Sequence, residues 1–331
     1  MRHEVGRPCA EYVSSLPSAR CRCCWRGACG ESTGSGTFPL AVSNCDRQVS
    51  IEKRPERIVT NGPDALNLVA AAGGAELVVA RASEFGQELR GPAREAAQAD
   101  VLDAQHDLST EVVINTGAQL LVSNPDYLAD PRVVDQLSQA GIATLFGSGY
   151  CEGQRADFED VYADIELLGR LFGTEDRAAS SVADLRNRVA AFQSGRGDRP
   201  RRTAVHAQIY ENVTYAAGAR SMEQTQLEIL GLANIFADSE DEFIEPSLEE
   251  LIARDPEALI LQYGFTVGDG PPKTFEQARQ EFLALPGVTG IRAVRDGAVV
   301  GVPFYETAAD PLAVDGLATI EEALRAARPQ G

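Results

Sequence analysis

The order of apolar runs after residue 57 constrains the fold more than any other feature of this sequence. Residues 58–60 form a short apolar run that predicts a strand, and Pro63 stands at the favoured first position of an apolar helix. Two glycines end that helix, and residues 77–80 predict a second strand. Residues 119–146 repeat the pattern of strand, helix and strand. Because strands that alternate with helices form parallel sheets covered on both faces, the sequence predicts an α/β fold.

The second half of the chain predicts another α/β segment, separated from the first by helices alone. Residues 158–192 carry helical periodicity without a strand, a new strand begins near residue 203, and a closing helix covers residues 311–326. At 331 residues, of which 44% are hydrophobic, the chain is long enough to build a core in each segment. The predicted organisation is an atypical leader at 1–28, a flexible tether at 29–43, an N-terminal α/β lobe at 44–154, a helical connector at 155–194 and a C-terminal α/β lobe at 195–331.

Charge and hydropathy limit the classes of partner that the chain can bind. The formal net charge is −19, whereas a nucleic-acid partner requires a basic face that neutralises phosphates. No run of about 18 apolar residues is present, so the sequence predicts no membrane-spanning helix. We therefore expect no nucleic-acid partner and no helix that crosses a bilayer.

The sequence has no catalytic or metal-binding motif in the structural context that such a motif requires. Residues 30–34, GESTG, match the pattern of a nucleophilic serine loop, but no strand precedes them as that loop requires. The sequence has neither a phosphate-binding glycine loop nor an HExxH zinc motif. Only His106 and His206 follow the leader, which is too few histidines for an imidazole metal site. The motifs therefore favour neither an enzyme nor a dedicated transition-metal site.

A weak internal repeat relates the two α/β segments. DLSTEVVINTGAQLLVS can be laid over EPSLEELIARDPEALILQ, which places Ser109 over Ser247 and Glu111 over Glu249. Two interpretations stay open at this point. The repeat is either a pair of unrelated capped helices that each lead into a strand, or the sign of two related lobes with matching exposed carboxylates.

Candidate ligand-binding residues lie where the predicted strands end, because open parallel sheets bind ligands beyond the carboxyl ends of their strands. Tyrosine and arginine together suit a flat, partly anionic ligand, since the rings supply contact area and the guanidinium pairs with anionic oxygens. We expect about half of the candidates to touch ligand and the rest to be structural. The candidates are Asn61, Arg81, Glu84, Phe85, Asn124 and Tyr127 in the first lobe, and Tyr210, Arg220, Tyr263, Phe265 and Tyr305 in the second.

The lobe–helix–lobe organisation, with VYADIELLGRLFG, LEILGLANIFAD and PSLEELIARDPEALIL, resembles the class III substrate-binding proteins of ABC importers. The resemblance runs from about Cys45 to the C-terminus. It implies two Rossmann-like α/β lobes joined by a long helical spine, with the ligand cleft between the lobes. It also implies an extracytoplasmic component that captures a ferric siderophore as cargo, needs no cofactor and delivers the cargo to a membrane permease.

Other cargoes and another class of function stay open beside the siderophore. A cobalamin carrier or a haem carrier belongs to the same family, and Tyr210 or His206 would serve as an axial ligand of haem. An enzyme on a similar two-lobed scaffold would need several thiolates or a histidine in the cleft. Apart from Cys45 and Cys151, which the resemblance implies are bridged, the lobes offer no thiolates, and His206 lies within a predicted strand.

The resemblance implies a docking role for the carboxylates of the internal repeat. In this family a carboxylate at the tip of each lobe docks on arginines of the permease, and the matching positions here are Glu111 and Glu249. The first-lobe copy departs from the family pattern, because NTGAQ replaces the usual Lys-Pro-Asp-like turn. The implied partners are the ABC permease and its ATPase, and the implied state of the binding protein is a monomer.

The resemblance also implies export, which gives the cysteines a role. Cys45 and Cys151, which we would expect to be free thiols in an intracellular protein, become a disulfide at the root of the first lobe. Cys29, followed by a polar tether, becomes the lipidated residue of a lipoprotein on the outer face of the cell membrane. The preceding stretch EYVSSLPSARCRCCWR lacks the apolar region of a signal, and Arg26 stands where an apolar residue is usual. We hypothesise that residues 1–27 come from a wrong start or a shifted reading frame.

Overall fold

The computed structural model describes residues 37–102, 108–124, 128, 131–195, 201–210, 213–265 and 271–327. The predicted leader, the lipidation position Cys29, and the candidates His106 and Tyr127 lie outside these residues. The described residues form two α/β lobes, each with its own main sheet, which confirms the predicted fold class.

The N-terminal lobe is built, within the described residues, on a sheet of five parallel strands in the order β5-β4-β3-β6-β7. Helix α1 covers one face, and α2 and α3 cover the other. The central strands β3 and β6 are buried along their whole length for this reason. The elements are β3 (Ile58–Asn61), α1 (Pro63–Ala71), β4 (Val78–Ala82), β5 (Asp100–Val101), α2 (Thr110–Asn115), β6 (Leu120–Ser123), α3 (Pro131–Gln139) and β7 (Ala143–Phe146).

An antiparallel hairpin precedes this sheet and corrects one expectation. Its strands are β1 (Leu40–Asn44) and β2 (Arg47–Ile51), so the strand begins inside the segment that we predicted to be a flexible tether. Asn44 fixes the hairpin to the edge strand β7. Its side-chain amide donates to the Phe146 carbonyl and accepts from the Phe146 N–H, both at 2.8 Å. The Asn44 amide therefore satisfies backbone groups of the edge strand β7 that a further strand would otherwise pair with.

The turn of the hairpin carries a disulfide bond. Cys45 is bonded to Cys151, with 106 residues of sequence separation and 4.9 Å between the two Cα atoms. The bond therefore closes a loop that contains nearly the whole N-terminal lobe, at the position that the sequence analysis assigned to it.

The connector between the lobes contains two helices, of which one crosses from lobe to lobe. Helix α4 (Phe158–Phe172) begins with a capping box at Asp157 and ends at Gly173, whose φ is 72°. Helix α5 (Glu175–Gly195) has 21 residues and is therefore about 31 Å long. Ser181 on α5 donates to the Ala71 carbonyl of the N-terminal lobe at 2.8 Å. About two turns later, Arg188 pairs with Asp315 of the C-terminal lobe, so α5 spans the hinge.

The C-terminal lobe has a mixed sheet, where the sequence predicted only its parallel strands. In the described residues the order is β11-β9-β8-β12-β13, and β10 also pairs with β8. Strand β9 returns antiparallel to β8 as a hairpin, and β11 pairs antiparallel with β9. The elements are β8 (Arg202–Tyr210), β9 (Val213–Ala217), α6 (Met222–Ile229), β10 (Leu232–Asn234), β11 (Phe243–Ile244), α7 (Leu248–Arg254), β12 (Ala258–Tyr263), α8 (Phe275–Leu283), α9 (Arg292–Arg295), β13 (Val299–Pro303) and α10 (Ala313–Ala326).

Apolar side chains fill both faces of each sheet. The larger core of the N-terminal lobe also takes in α4, α5 and the start of α10, so the lobes share apolar packing at the hinge. Among the described residues, no helix is both long enough and apolar enough to cross a bilayer. Loops that follow the carboxyl ends of the parallel strands carry polar and aromatic side chains in both lobes. Open parallel sheets bind ligands at these ends, so the candidate site is sought there.

Candidate functional site

Four aromatic residues gather where β12 and β13 end, and we call them the aromatic shelf. They are Tyr263, Phe265, Phe304 and Tyr305, and three of them were predicted as ligand candidates. The rings of Phe265 and Phe304 lie 5.5 Å apart and tilted, which is a favourable arrangement for two aromatic rings. The Tyr263 ring lies 5.8 Å from that of Phe275 on α8, which fixes its orientation.

The two tyrosines of the aromatic shelf are kept neutral by their surroundings. Burial raises the pKa of Tyr263, and the nearby Glu306 carboxylate raises that pKa further. Burial also raises the pKa of Tyr305, although the Arg90 guanidinium opposes the shift. Both phenols are therefore hydrogen-bond donors and acceptors at neutral pH, and neither is a phenolate.

Arg90 joins the aromatic shelf from the opposite lobe, and the sequence analysis missed it. It precedes the short helix Gly91–Ala96 of the N-terminal lobe. Its Nη2 donates to the Tyr305 hydroxyl at 2.5 Å, and its Cζ lies 4.6 Å from the centre of the same ring. Its Nη1 lies 3.3 Å from Oε1 of Glu306. No strand leads into Arg90, so a search of strand ends could not find it, and the basic side chain in the loop was the available signal.

The N-terminal lobe contributes a strained turn at the end of β4. Arg81 pairs with Glu84, and both side chains are largely buried. Burial raises the pKa of Glu84, while the Arg81 charge lowers it. Burial is the larger of the two effects, so the pKa of Glu84 lies above its ordinary value. Ser83 and Phe85 adopt left-handed backbone conformations with φ of 53° and 48°. Such angles in residues other than glycine gather at ligand sites, because the surrounding structure must hold them.

The two asparagine candidates of this lobe are buried rather than presented to a cleft. Asn61 is fully buried and donates to the Ser123 hydroxyl at 3.1 Å. Asn124 is 5% exposed, and its amide lies 3.4 Å from Oδ2 of Asp64. The Asn61 amide therefore connects β3 to β6, and the Asn124 amide connects the end of β6 to helix α1, so both shape the edge of the sheet.

The remaining two candidates lie on other elements of the C-terminal lobe. Tyr210 is half-buried at the end of β8. The Arg220 side chain pairs with Glu240 at 3.3 Å, and its carbonyl accepts from the Ala156 N–H at 2.9 Å. Arg220 therefore ties the C-terminal lobe to the segment that enters the connector.

His206 is excluded as a ligand of haem in this arrangement. It lies in the middle of β8 with 1% of its surface exposed, and burial lowers its pKa to about 3. Neither ring nitrogen has a hydrogen-bond partner among the described residues, so the ring is a neutral part of the core. The same part of the chain contains no group of three or more histidine, cysteine, aspartate or glutamate side chains arranged for a metal ion.

The carboxylates of the internal repeat occupy matching positions on the two lobes. The Ser109 hydroxyl accepts from the third amide of α2 at 3.3 Å, and the Ser247 hydroxyl does the same in α7 at 3.1 Å. Glu111 and Glu249 are exposed in the first turns of these helices. Helices α2 and α7 each lead into a parallel strand, so they begin near the edge where those strands end. Both carboxylates therefore stand at the edges that carry the candidate site.

Comparison with known proteins places these features in one family. A model of periplasmic binding proteins matches residues 58–306. A crystal structure of the ABC-type Fe3+-hydroxamate transport system from Saccharomonospora viridis DSM 43017 is 32% identical, covers 87% of this chain and 99% of its own, and superposes with a TM-score of 0.74. A periplasmic heme binding protein from Pseudomonas aeruginosa is 23% identical over 84% of this chain and 95% of its own, with a TM-score of 0.67.

A cobalamin-binding protein of Halobacterium salinarum is 24% identical over 229 residues, which is 68% of this chain. The chain spans 58% of the length of that relative. The family match covers most of both lobes, and the two α/β sheets and the spanning helix agree with it. The chain belongs to the periplasmic binding protein family, in the class III group that its sequence resembles.

Proposed function

We propose that this chain is the extracytoplasmic substrate-binding component of an ABC importer and that it captures a ferric siderophore between its lobes. The observation that carries the proposal is the approach of Arg90 from one lobe to the aromatic shelf of the other. Similarity to the Fe3+-hydroxamate transport protein, at 32% identity over most of both chains, supports the same cargo class. The role is binding and delivery, without a chemical step.

The chemistry of the aromatic shelf suits such a cargo. A ferric siderophore presents anionic or carbonyl oxygens around the iron and an apolar organic frame outside them. The Arg90 guanidinium pairs with the oxygens, and the neutral phenols of Tyr263 and Tyr305 donate hydrogen bonds to them. Phe265 and Phe304 pack against the frame, where an aromatic ring supplies contact area with little loss of conformational entropy.

A haem cargo fits these residues less well. An Fe(III) haem needs an axial phenolate or imidazole, but burial raises the pKa of both shelf tyrosines and encloses His206. Tyr210 stays a candidate axial ligand for that alternative. Cobalamin is the second alternative, and similarity to cobalamin-binding relatives at 24% identity supports it.

The cargo is tested by isothermal titration of the full-length protein with four probes. The probes are ferrioxamine B as a hydroxamate, ferric enterobactin as a catecholate, haemin and cyanocobalamin. We expect one ferric chelate to bind with a Kd of about 1 μM or below, and its iron-free form to bind more weakly. Binding of haemin or cyanocobalamin alone would replace the siderophore by the corresponding alternative, and no binding of any probe would contradict the proposal.

Delivery to a permease is the second part of the proposal. Glu111 and Glu249 are placed to meet basic residues of a partner, since both are exposed at matching lobe edges. Replacing both by arginine should abolish cargo uptake in cells and leave the Kd for cargo unchanged, whereas Glu322→Arg on α10 should affect neither. Normal uptake by the double variant would refute the docking role. Lipidation of Cys29 is part of the same proposal, and mass spectrometry of the detergent-extracted protein tests it.

A further inference from the structure

Two buried carboxyl groups meet where the lobes join. Asp64 lies in the first turn of α1 in the N-terminal lobe, and 3% of its surface is exposed. Asp310 is 1% exposed and lies in residues 304–312, which connect β13 to α10 in the C-terminal lobe. We call residues 304–312 the seam segment, because Glu306, Ala309 and Asp310 within it contact the N-terminal lobe.

The first link across the seam runs through Asn67. This residue lies one turn after Asp64 on α1, so both side chains occupy the same face of the helix. The Asn67 amide donates to Oδ2 of Asp310 at 2.7 Å. The Leu312 N–H donates to Oδ1 of Asp310 at 2.6 Å, so both oxygens of this carboxyl group are engaged.

The second link runs through Tyr150. Its hydroxyl accepts from the Ala309 N–H at 2.9 Å, and it also hydrogen-bonds to Asp64. The backbones approach closely at the same place, because a methyl group on Gly149 would come within 2.6 Å of Cβ of Ala309. Asp64 and Asp310 are thus linked in two ways. Asn67 shares helix α1 with Asp64 and bonds Asp310. Tyr150 bonds Asp64 and the backbone of Ala309, which precedes Asp310.

Charges around the pair do not neutralise it. The neighbouring charges that act on Asp310 are Asp64 and Asp315, both of them acidic. Asp315 is itself paired with Arg188, and among the described residues no cation forms an ion pair with Asp64 or Asp310. Burial raises the pKa of Asp64 to about 6 and raises that of Asp310 well above its ordinary value, and the charge of Asp64 adds to the shift of Asp310.

We propose that Asp64 and Asp310 form a proton-binding latch that holds the two lobes together while at least one of the carboxyl groups is protonated. Two carboxylates in one buried site repel each other, so ionisation of both loosens the seam segment from α1. Asn124, whose amide faces Asp64, connects the latch to the carboxyl end of β6, at the sheet edge that carries the candidate site. The coupling of the latch to cargo rests on the proposed function. Through this coupling, cargo binds more weakly at alkaline pH than at mildly acidic pH.

Hydrogen–deuterium exchange of the ligand-free, full-length protein tests the latch. The reporter is the seam segment, where the Ala309 amide is bonded to Tyr150. An opening that requires the loss of one proton becomes about tenfold more favourable for each pH unit above the pKa of the latch. Between about pH 5 and about pH 8, we therefore expect protection of the seam segment, corrected for intrinsic exchange, to fall at least tenfold.

Two variants make the result specific. Asp310→Asn carries no charge, and the Asn67 amide can turn to pair with it, so its seam protection should not change with pH. Asp64→Asn should behave in the same way, and it serves if the first variant does not fold. Glu257→Gln is the control, because Glu257 bonds Thr203 at the amino ends of β8 and β12, whereas the seam segment follows the carboxyl end of β13, which is parallel to β12. This control should keep the pH dependence of the wild type.

Two outcomes overturn the latch: wild-type protection that is equal at both pH values, or an unchanged pH dependence in the Asp310→Asn and Asp64→Asn variants. Because no cargo is present, failure of the proposed cargo assignment leaves this measurement intact. A titration with ferrioxamine B at both pH values then tests the coupling to the cleft. A Kd that weakens in the wild type and not in Asp310→Asn supports the coupling, and equal pH dependence in both contradicts it.

Discussion

The contact between Arg90 and Tyr305 gives the sharpest quantitative prediction, because one side chain from each lobe forms it. Removing the guanidinium by Arg90→Ala and the hydroxyl by Tyr305→Phe tests it as a double-mutant cycle. The cycle is needed because Arg90 also lies 3.3 Å from Glu306, and the single variant would lose both contacts. In the cycle, the contribution of Glu306 cancels.

The magnitude follows from the geometry and the exposure. A hydrogen bond from a charged donor contributes about 1.5–3 kcal/mol when it is well buried. Here the Arg90 side chain is 41% exposed, so solvent reduces that value to about 1 kcal/mol. The guanidinium also lies 4.6 Å from the ring centre, which adds about 0.5–1 kcal/mol that Tyr305→Phe leaves in place. A second cycle with Tyr305→Leu should therefore give a coupling of about 1.5–2 kcal/mol.

Urea unfolding measures these coupling energies, and titration with the cognate chelate measures the effect on cargo. We expect Arg90→Ala to weaken cargo binding at least about tenfold, since a paired guanidinium would be lost. Arg325→Ala is the matched control, because Arg325 is exposed and pairs only with Glu321 of its own helix among the described residues. A coupling energy near zero in both cycles would refute the assigned contact, and unchanged affinity would remove Arg90 from the cargo site.

Three further predictions concern stability. Replacing Cys45 and Cys151 by serine opens a loop of 106 residues and should lower the free energy of unfolding by up to about 4.8 kcal/mol, measured by urea unfolding; a change below about 1 kcal/mol would contradict the role of the disulfide. Ser247→Ala removes the cap of α7 and should cost about 1 kcal/mol in the same assay, with equal stability as the contrary result. Burial raises the pKa of Glu223 from 4.5 to about 7, so the folded state holds a proton that the unfolded state has lost, and stability should fall as the pH rises from about 4.5 to about 7. Glu223→Gln should flatten that fall and Glu321→Gln should not; identical pH profiles would refute the assignment.

Local sequence signals predicted the elements whose ends are marked by proline, glycine or a capping side chain. Pro63 and the two following glycines define α1, and Ser247 caps α7 as its sequence predicts. The hairpin at β1 and β2 gave no such signal. Its edge contact is made by the side chain of Asn44 with a strand about 100 residues later, and short polar strands of this kind resemble a tether in sequence. Strand β9 was missed although Val213, Thr214 and Tyr215 favour a strand, because the run is only five residues long and forms a hairpin with β8.

The candidate site was predictable only where its residues follow the end of a strand. The rule of strand ends located Tyr263 and Tyr305, since position along a strand can be read from the sequence. The rule could not distinguish an amide that faces a cleft from Asn61, which is buried against a neighbouring strand. Arg90 escaped it because its partner lies 215 residues away, and contacts between lobes leave no local pattern.

The connections between the lobes bear on how cargo is bound and released. Helix α5 crosses the hinge without a break, Arg90 reaches the aromatic shelf, and the seam segment is bonded to α1 and Tyr150. A large opening would break the contacts of Asn67 and Tyr150 together, so we expect a cleft that is largely formed before cargo arrives. Binding to a preformed site loses little free energy to ordering, which favours tight capture. On the proposed function, the same stiffness means that we expect release to require an outside partner acting on both lobes, for which the exposed carboxylates Glu111 and Glu249 are the proposed contacts.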